Sequence, residues 1–350
     1  MDHVHYMQRC LQLAEKGLGY SAPNPIVGCV IVHNSKIIGE GYHAKYGSHH
    51  AEVNAVNSVK DKSLLSKSIL YVTLEPCSHF GKTPPCTDLI IKYKIPEVII
   101  GNKDPFEKVN GSGIKKLKDA GIKIMMGILE KECRFMNRRF FVFQEQKRPY
   151  IILKWAQSKD GFIAPDKKSF VKTQTMTEKI HRVSNEYSHL LVHKWRSEEA
   201  AIMVGTNTAR SDNPRLTVRN LKGKNPVRVV IDKNLMLNSA LHLFDKKTRT
   251  LVYTSKNKDS SNNLEFVKIN FGEDVLKQVT DHLYEQHIQS VIVEGGTILL
   301  RAFIENNLWD EARIFSSDSL LNSGVIAPEI SGKILYTRKI EKDTLTVFMH

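Results

Sequence analysis

The apolar positions of this chain change period several times, and each change marks an element. Met7, Cys10, Leu11 and Ala14 share one face of a 3.6-residue repeat, which predicts a first helix. Residues 28–32 and 36–41 flank a polar turn, His33-Asn34-Ser35, and predict a β-hairpin. Residues 50–59 read as a helix and 69–74 as a buried strand, with a further helix expected to open at Cys86. Two more short strands are predicted at 98–101 and 122–126, separated by a helix over 113–120 that stops at Gly121. Alternation of this kind predicts an α/β domain. At 144–149 the pattern gives way to the polar run Gln-Glu-Gln-Lys-Arg-Pro, which places a domain boundary there and divides the chain into 1–147 and 148–350. Beyond it, 150–153, 201–204, 227–231, 250–253 and 291–293 are short β-rich runs with helix-like segments between several of them. The last leads through Glu294-Gly295-Gly296 into a helix over 298–305, so the second domain is also α/β, and no repeat relates the halves.

Composition supports this division. A chain of 350 residues exceeds what one hydrophobic core usually serves. With 41% hydrophobic and 25% charged residues, no long apolar run and no export pattern, a cytoplasmic address and no membrane partner are expected. The net charge of +14 raises the possibility of nucleic acid. The lysines and arginines are spread along the chain, however, which reads as a solvated basic surface that also favours phosphorylated small molecules. Five cysteines, odd in number and sparse, argue against a disulfide framework. Cys10, Cys29 and Cys133 sit among apolar neighbours and read as buried thiols.

The other two cysteines belong to a constellation. His50-Ala51-Glu52, then Pro76-Cys77, then Pro85-Cys86 match the zinc-deaminase signature of His-x-Glu followed by Pro-Cys and a second cysteine. Eight residues separate the cysteines here in place of the usual two. One imidazole and two thiolates leave zinc an open fourth position for water, as catalysis requires, whereas a structural site fills all four. His43, His49 and His79 are the spare candidates for a fourth ligand. Glu52, two residues from His50 and not a ligand, is placed to shuttle protons. Cys86, at a helix start, gains from the helix dipole.

Pro23-Asn24-Pro25-Ile26-Val27-Gly28, His50-Ala51-Glu52 and Thr73-Leu74-Glu75-Pro76-Cys77-Ser78-His79-Phe80-Gly81-Lys82-Thr83-Pro84-Pro85-Cys86 together resemble the deaminase half of the bifunctional riboflavin biosynthesis deaminase-reductase family, including its long cysteine spacing. Lys154 to Gly161, the run 201–219 and Val293-Glu294-Gly295-Gly296-Thr297 resemble the reductase half in the same order. The resemblance implies a cytidine-deaminase-like αβα domain followed by a dihydrofolate-reductase-like α/β domain. It implies hydrolytic deamination of 2,5-diamino-6-(5-phosphoribosylamino)pyrimidin-4(3H)-one, then NADPH-dependent reduction of the ribosyl group of 5-amino-6-(5-phosphoribosylamino)uracil to ribityl. Zinc would be held by His50, Cys77 and Cys86, with Glu52 catalytic, Asn24 on the ring and Asp104 on the substrate's periphery. Ala156, Thr208, Asp212, Gly296, Thr297, Ile298, Leu299, Leu300, Arg301 and Ala302 would line NADPH. Arg196, Leu216, Arg219 and Glu294 would face the second substrate, the arginines as forks for its phosphate. Gly295-Gly296 also has its own physical logic, since glycines before a helix let a pyrophosphate approach backbone N–H groups.

The chain departs from the family at Arg182-Val183-Ser184, where Trp-Ile-Ser or Trp-Ile-Thr is common. It departs again at Ser316-Ser317, where an aliphatic segment ending near glycine is usual, and its C-terminal region is short. Expected partners are small-molecule pyrimidine ribosyl phosphates and, as a homo-oligomer, further copies of the chain, with no nucleic acid. Two other classes compete. A tRNA-type deaminase with a basic binding domain would share the zinc chemistry, but the second half lacks the stacking aromatics of an RNA module. A non-enzymatic zinc-stabilised regulator would need no Glu52. NADPH binding separates the first reading from both.

Overall fold

A computed structural model describes residues 2–81, 84–107, 109–165 and 183–350, so Lys82, Thr83 and Arg182 of the motifs above lie outside the described residues. The chain divides into two compact units, Met1–Arg148 and Pro149–His350. In the polar run between the predicted domains, 144–146 form the last turn of a helix, which Lys147 ends in a left-handed conformation (φ 55°).

The first unit runs α1 (His3–Glu15), β1 (Gly28–His33), β2 (Lys36–Tyr42), α2 (Ala51–Ser58), β3 (Ile69–Leu74), α3 (Cys86–Lys92), β4 (Glu97–Asn102), α4 (Ser112–Asp119), β5 (Lys123–Met126), α5 (Glu130–Met136) and α6 (Arg138–Gln146). Helix α1 starts earlier than its apolar face suggests because the Asp2 side chain accepts the His5 N–H and caps it. The β1–β2 hairpin closes tightly, with both Asn34 and Ser35 at positive φ (47° and 61°), the geometry that matches strand twist. The strands order as β2-β1-β3-β4-β5, antiparallel through β3 and parallel beyond.

Strand alternation then sorts the side chains. Cys29, Ile31 and Val72 pack with Ala55, Val56, Ile90 and Leu117 from α2, α3 and α4. Val30, Val32 and Tyr71 face the other way, onto Met7, Cys10 and Leu13 of α1 and Cys133 of α5. The result is an αβα sandwich in which Cys10, Cys29 and Cys133 are fully buried and burial raises each thiol.

Two glycines fix where α2 sits. A Cβ on Gly41 would lie 2.3 Å from both Ala51 O and Ala55 N, and one on Gly39 would lie 2.6 Å from Ala55 O. Helix α2 therefore rests on bare β2 backbone, which sets the height of its first turn over the sheet.

The second unit runs β6 (Tyr150–Gln157), β7 (Phe162–Pro165), α7 (Glu186–Glu198), β8 (Ala201–Gly205), α8 (Thr206–Asp212), β9 (Val227–Ile231), β10 (Thr250–Thr254), β11 (Leu264–Lys268), α9 (Val275–Glu285), β12 (Ser290–Glu294), α10 (Thr297–Glu305), β13 (Glu311–Ser316), β14 (Gly324–Ile326), β15 (Lys333–Ile340) and β16 (Asp343–Met349). Nine strands form one sheet in the order β11-β10-β9-β8-β12-β6-β13-β16-β15, parallel from β11 through β13 and antiparallel at the β16 and β15 end. Ile151, Leu153, Met203, Val229 and Val293 pack on one face with Leu276, Val279 and Leu283 of α9 and Leu300 and Phe303 of α10. Ile202, Val204, Val230 and Val252 pack on the other with Ala209, Leu216, Leu237 and Leu243. Because β12 inserts between β6 and β8, helices α8 and α10 start at the C-terminal ends of neighbouring strands.

Replacing Gly41 by alanine should lower the first unit's unfolding free energy by about 1–3 kcal/mol through overpacking against α2. Urea unfolding reads this directly, and an unchanged midpoint would show that α2 can shift away at no cost.

Candidate active sites

His50 is the N-cap of α2, with extended backbone (φ −70°, ψ 165°), and Cys86 is the first residue of α3 after Pro85. Cys77 lies beyond the end of β3. Its carbonyl accepts the Thr87 N–H at 3.2 Å and its sulfur accepts the Cys86 N–H at 3.4 Å. The start of α3 therefore docks on Cys77, which is how an eight-residue spacer still brings the two sulfurs together. His50 Nδ1 stands 3.5 Å from Cys77 Sγ and 3.3 Å from Cys86 Sγ, and the three ligand atoms lie within 4.8 Å of one another. Zinc–ligand lengths of about 2.0 and 2.3 Å at a tetrahedral angle put N and S about 3.6 Å apart, so the cluster fits a tetrahedral zinc ion. Among the described residues no fourth side chain joins it.

The hydrogen bond from Cys86 pushes Cys77 down to about 4, with His50 adding to the effect against burial, and the same contact pushes Cys86 up. Glu52, in the first turn of α2, is 4% exposed, and burial raises its carboxyl above the ordinary range. It lies two residues after His50 in the first turn of the same helix, within electrostatic reach of His50 and Cys77, and is not among the three ligand residues.

His43 has both ring nitrogens engaged. Nδ1 is 3.1 Å from the His49 carbonyl, which can only accept, so Nε2 accepts from Asn24 Nδ2 at 3.1 Å. With its ring 5.3 Å from that of His50, His43 holds Asn24 beside the cluster. The Asn24 segment is fastened further by Asn137, whose amide bonds both Ile26 N (2.9 Å) and Ile26 O (2.8 Å). Asp104 is 7% exposed, accepts the Phe106 N–H at 2.8 Å, and is pushed by burial to about 7.

In the second unit, Gly295 and Gly296 have φ of 78° and 77°. A Cβ on either would meet Thr208, at 3.2 Å for Gly295 and 3.0 Å for Gly296, so the glycine turn and the α8 segment touch. The N-caps of α8 and α10, Gly205 and Gly296, make no side-chain cap bond, leaving the first N–H groups of both helices available to a pyrophosphate. This cradle fits the expected dinucleotide. Within 296–302, Thr297 bonds the Ile326 carbonyl at 3.0 Å, Ile298 is 76% exposed and Arg301 is exposed. Leu299 is buried and Leu300 lies deep in the core, so these two support the cradle from behind, with Ala302 half-buried beside them. Ala156 is half-buried near the end of β6, and Asp212 is exposed at the end of α8.

The arginine expected to fork a phosphate is otherwise engaged. Arg196 donates Nε to Glu294 Oε1 at 3.2 Å and Nη2 to Oε2 at 2.6 Å, while Nη1 reaches the Thr217 carbonyl at 3.4 Å. Lys154, directly opposite Glu294 in the β6–β12 register, completes the group. Burial alone would raise the Glu294 carboxyl, but Arg196 and then Lys154 hold it at about 2. Burial likewise lowers the Lys154 ammonium, against the pull of Glu294. His193 Nδ1 accepts the Arg219 N–H at 3.3 Å, and burial, then Arg196 and Arg219, push it down to about 4. The 213–219 loop carries Leu216, buried and at φ 52°, a conformation that costs a leucine about 1 kcal/mol or more, so the bonds from Arg196 and His193 hold it against strain. Arg219 itself is exposed.

Comparison with known proteins decides the family. Residues 1–102 match the cytidine and deoxycytidylate deaminase zinc-binding region, and 149–325 match the RibD C-terminal domain. The chain is 39% identical over 327 residues to riboflavin biosynthesis protein RibD of Aquifex aeolicus (strain VF5), covering 92% of this chain and 88% of that protein. The chain belongs to the RibD family. The RibD protein of Actinobacillus pleuropneumoniae is 36% identical over 346 residues, covering 95% of this chain and 88% of that protein. Among solved structures, the diaminohydroxyphosphoribosylaminopyrimidine deaminase/5-amino-6-(5-phosphoribosylamino)uracil reductase of Thermotoga maritima superposes with a TM-score of 0.86 at 32% identity, covering 99% and 98% of the two chains. Acinetobacter baumannii RibD, form 1, superposes at 0.89 with 29% identity over the same shares.

Sequence reasoning missed Asn137, Lys154, His193 and the part played by Glu75. Lys154 had a signal, since a lysine inside an apolar strand next to a site is costly unless paired. The others depend on tertiary placement.

Two outcomes follow. Cys77→Ser or Cys86→Ser should lose zinc and ammonia release together, against about one zinc per chain in the parent by elemental analysis. Full metal retention in either variant would remove that cysteine from the ligand set. The depressed His193 value also has a pH consequence. Its neutral form stabilises the fold fully above the unfolded value of 6.5, and that stability is lost as pH falls through about 4. Unfolding of the second unit, followed by tryptophan fluorescence, should weaken over that window, and more gently in His193→Asn, whereas equal slopes would show that His193 does not titrate with folding.

Proposed function

We propose that this chain catalyses the two consecutive reactions named in its Thermotoga relative, deaminating the diaminopyrimidinone ribosyl phosphate in the first unit and reducing the ribosyl group of the resulting uracil in the second. The observation that carries this reading is a cluster of three zinc-ligating side chains with a buried, non-ligating glutamate, on the same chain as a glycine cradle beside the nearly buried Arg196–Glu294 ion pair. When bound, zinc supplies Lewis acidity at the point of attack and NADPH supplies the two electrons of the reduction.

His50, Cys77 and Cys86 hold the metal. Asn24, its amide nitrogen committed to His43, keeps its carbonyl oxygen as an acceptor for the ring's N–H or amino groups, and Asp104 holds the periphery. Glu52 takes one proton from the attacking water and delivers it to the ring nitrogen beside the reacting carbon, then takes the second proton of that oxygen and passes it to the amino group, which leaves as ammonia when the C–N bond breaks. Burial, by raising its carboxyl, lets it keep the proton between these steps.

In the second unit the residues around Thr208, Asp212 and Gly296 to Ala302, with Ala156, hold the cofactor. Glu294, kept ionised, accepts from hydroxyls of the ribosyl chain, and Lys154 offers a donor beside it. Arg196 orients Glu294, Leu216 shapes the loop, and exposed Arg219 meets the phosphate.

Other copies of the chain are the partner we propose for the rim of the nine-stranded sheet. There β15 is exposed along nearly its whole length, including Ile334 (55%) and Leu335 (42%), and edge strands of this kind are normally covered. No helix among the described residues is long and apolar enough to cross a membrane. Five unpaired thiols suit a reducing cytoplasm.

The two activities should separate by mutation. Glu52→Gln should keep its zinc and lose deamination by about 10²–10⁴-fold, while still reducing the deaminated substrate with NADPH. Glu294→Gln should do the reverse. Parallel loss of both activities in either zinc-loaded variant would replace two sites by one composite site.

A further inference from the structure

Glu75 stands two residues before Cys77 and is 4% exposed. A buried carboxylate must be compensated, and here backbone N–H groups do it. Oε2 accepts from Asp104 N (3.2 Å) and Gly111 N (3.0 Å), and Oε1 from Gly113 N (3.0 Å) and Ile114 N (3.1 Å). Gly111 is the N-cap of α4 and has no side chain to cap with, so the carboxylate of a residue 36 positions earlier takes its place at the positive end of the helix. The approach is close. A Cβ on Gly113 would lie 2.1 Å from the Pro76 carbonyl oxygen and 3.1 Å from Glu75 Oε1. On the other side of Cys77, Ser78 Oγ is 2.6 Å from Ser112 Oγ.

The ligand turn is thus bonded on both flanks of Cys77 to the start of α4, and through Glu75 also to the backbone of Asp104. Gly111 is at φ 92°, a conformation strained for any side chain, so a serine at 111 could not cap α4 from this backbone. The remote carboxylate adds what a local cap cannot, a fixed relation between the metal-ligand turn and the 104–111 segment.

We propose that Glu75 is a positioning residue whose carboxylate locks the Cys77 turn to the segment bearing Asp104, so that metal and substrate-facing carboxyl are held at one separation. This rests on the assignment of Asp104 to the deaminase substrate. Zinc holds Cys77 once bound, so loss of the clamp should move the Asp104 side and be felt in substrate binding.

The test uses the full zinc-loaded chain. Glu75→Gln replaces one acceptor oxygen by a donor that faces backbone N–H groups. It should keep about one zinc per chain and reduce the deaminated substrate at the parent rate. Its KM for deamination should rise by about tenfold or more while kcat changes less, the split expected when a binding group is displaced by a fraction of an ångström. Adding Asp104→Asn to Glu75→Gln should raise KM by less than Asp104→Asn does in the parent, because both act through one group. Glu75→Asp keeps the charge but is one methylene shorter. It should shift KM the same way by a smaller factor, and it provides the readout if Glu75→Gln does not accumulate as zinc-loaded protein. An unchanged KM with kcat falling in proportion to zinc, or fully additive effects with Asp104→Asn, would reduce Glu75 to an ordinary structural cap and overturn the proposal. Absence of ammonia release in the parent would instead count against the deaminase assignment itself.

Discussion

Three soft ligand atoms from three separate segments have to meet within the reach of one metal ion, and the architecture of the first unit follows from that demand. His50 can serve only if the first turn of α2 is held at one height, which the bare backbone of Gly39 and Gly41 provides. Cys86 can serve only if α3 begins against Cys77, which two backbone N–H bonds secure. The sheet places both helices on one face, and packing of Val56 and Ile90 against Ile31 and Val72 keeps them there. What remains open around the cluster is chemistry: a buried carboxyl raised by its burial and an asparagine oriented by a histidine.

The second unit faces a different constraint, the placement of opposite charges where little water reaches them. Arg196, Lys154 and Glu294 come from a helix and two neighbouring strands, and their mutual attraction outweighs burial at the carboxylate. Buried pairs of this kind contribute little net stability but fix geometry well when fully bonded. Here the geometry is that of a carboxylate kept ionised next to the glycine cradle, with a strained loop pinned over it by Arg196 and His193.

Much of this was legible in the sequence because the relevant signals are local. The strands β3 and β9 coincide with apolar runs, α2 and α10 begin at the motifs that predicted them, and His50, Glu52, Cys77 and Cys86 are motif residues whose chemistry fixes their proximity. Among the elements that stayed silent are β15 and α6. Strand β15 is exposed over nearly all its length, so no face of it alternates, and α6 ends in the polar run that reads as a linker. Residue roles set by distant partners were equally hidden. Arg196 reads as a phosphate fork until Glu294, 98 residues away, is seen in its grip, and Glu75 reads as part of a motif until four amides up to 39 residues away converge on it.

The central claim is that two sites on one chain act in order, the product of the first being the substrate of the second. Incubating the purified parent chain with the diaminopyrimidinone ribosyl phosphate, with and without NADPH, and following ammonia and NADPH together, tests it most directly. The account predicts ammonia release that needs no NADPH, and NADPH oxidation that begins only after a lag and then reaches one equivalent per ammonia, on the order of unity as two-electron reduction requires. NADPH oxidation that precedes ammonia, or ammonia release that depends on NADPH, would contradict it.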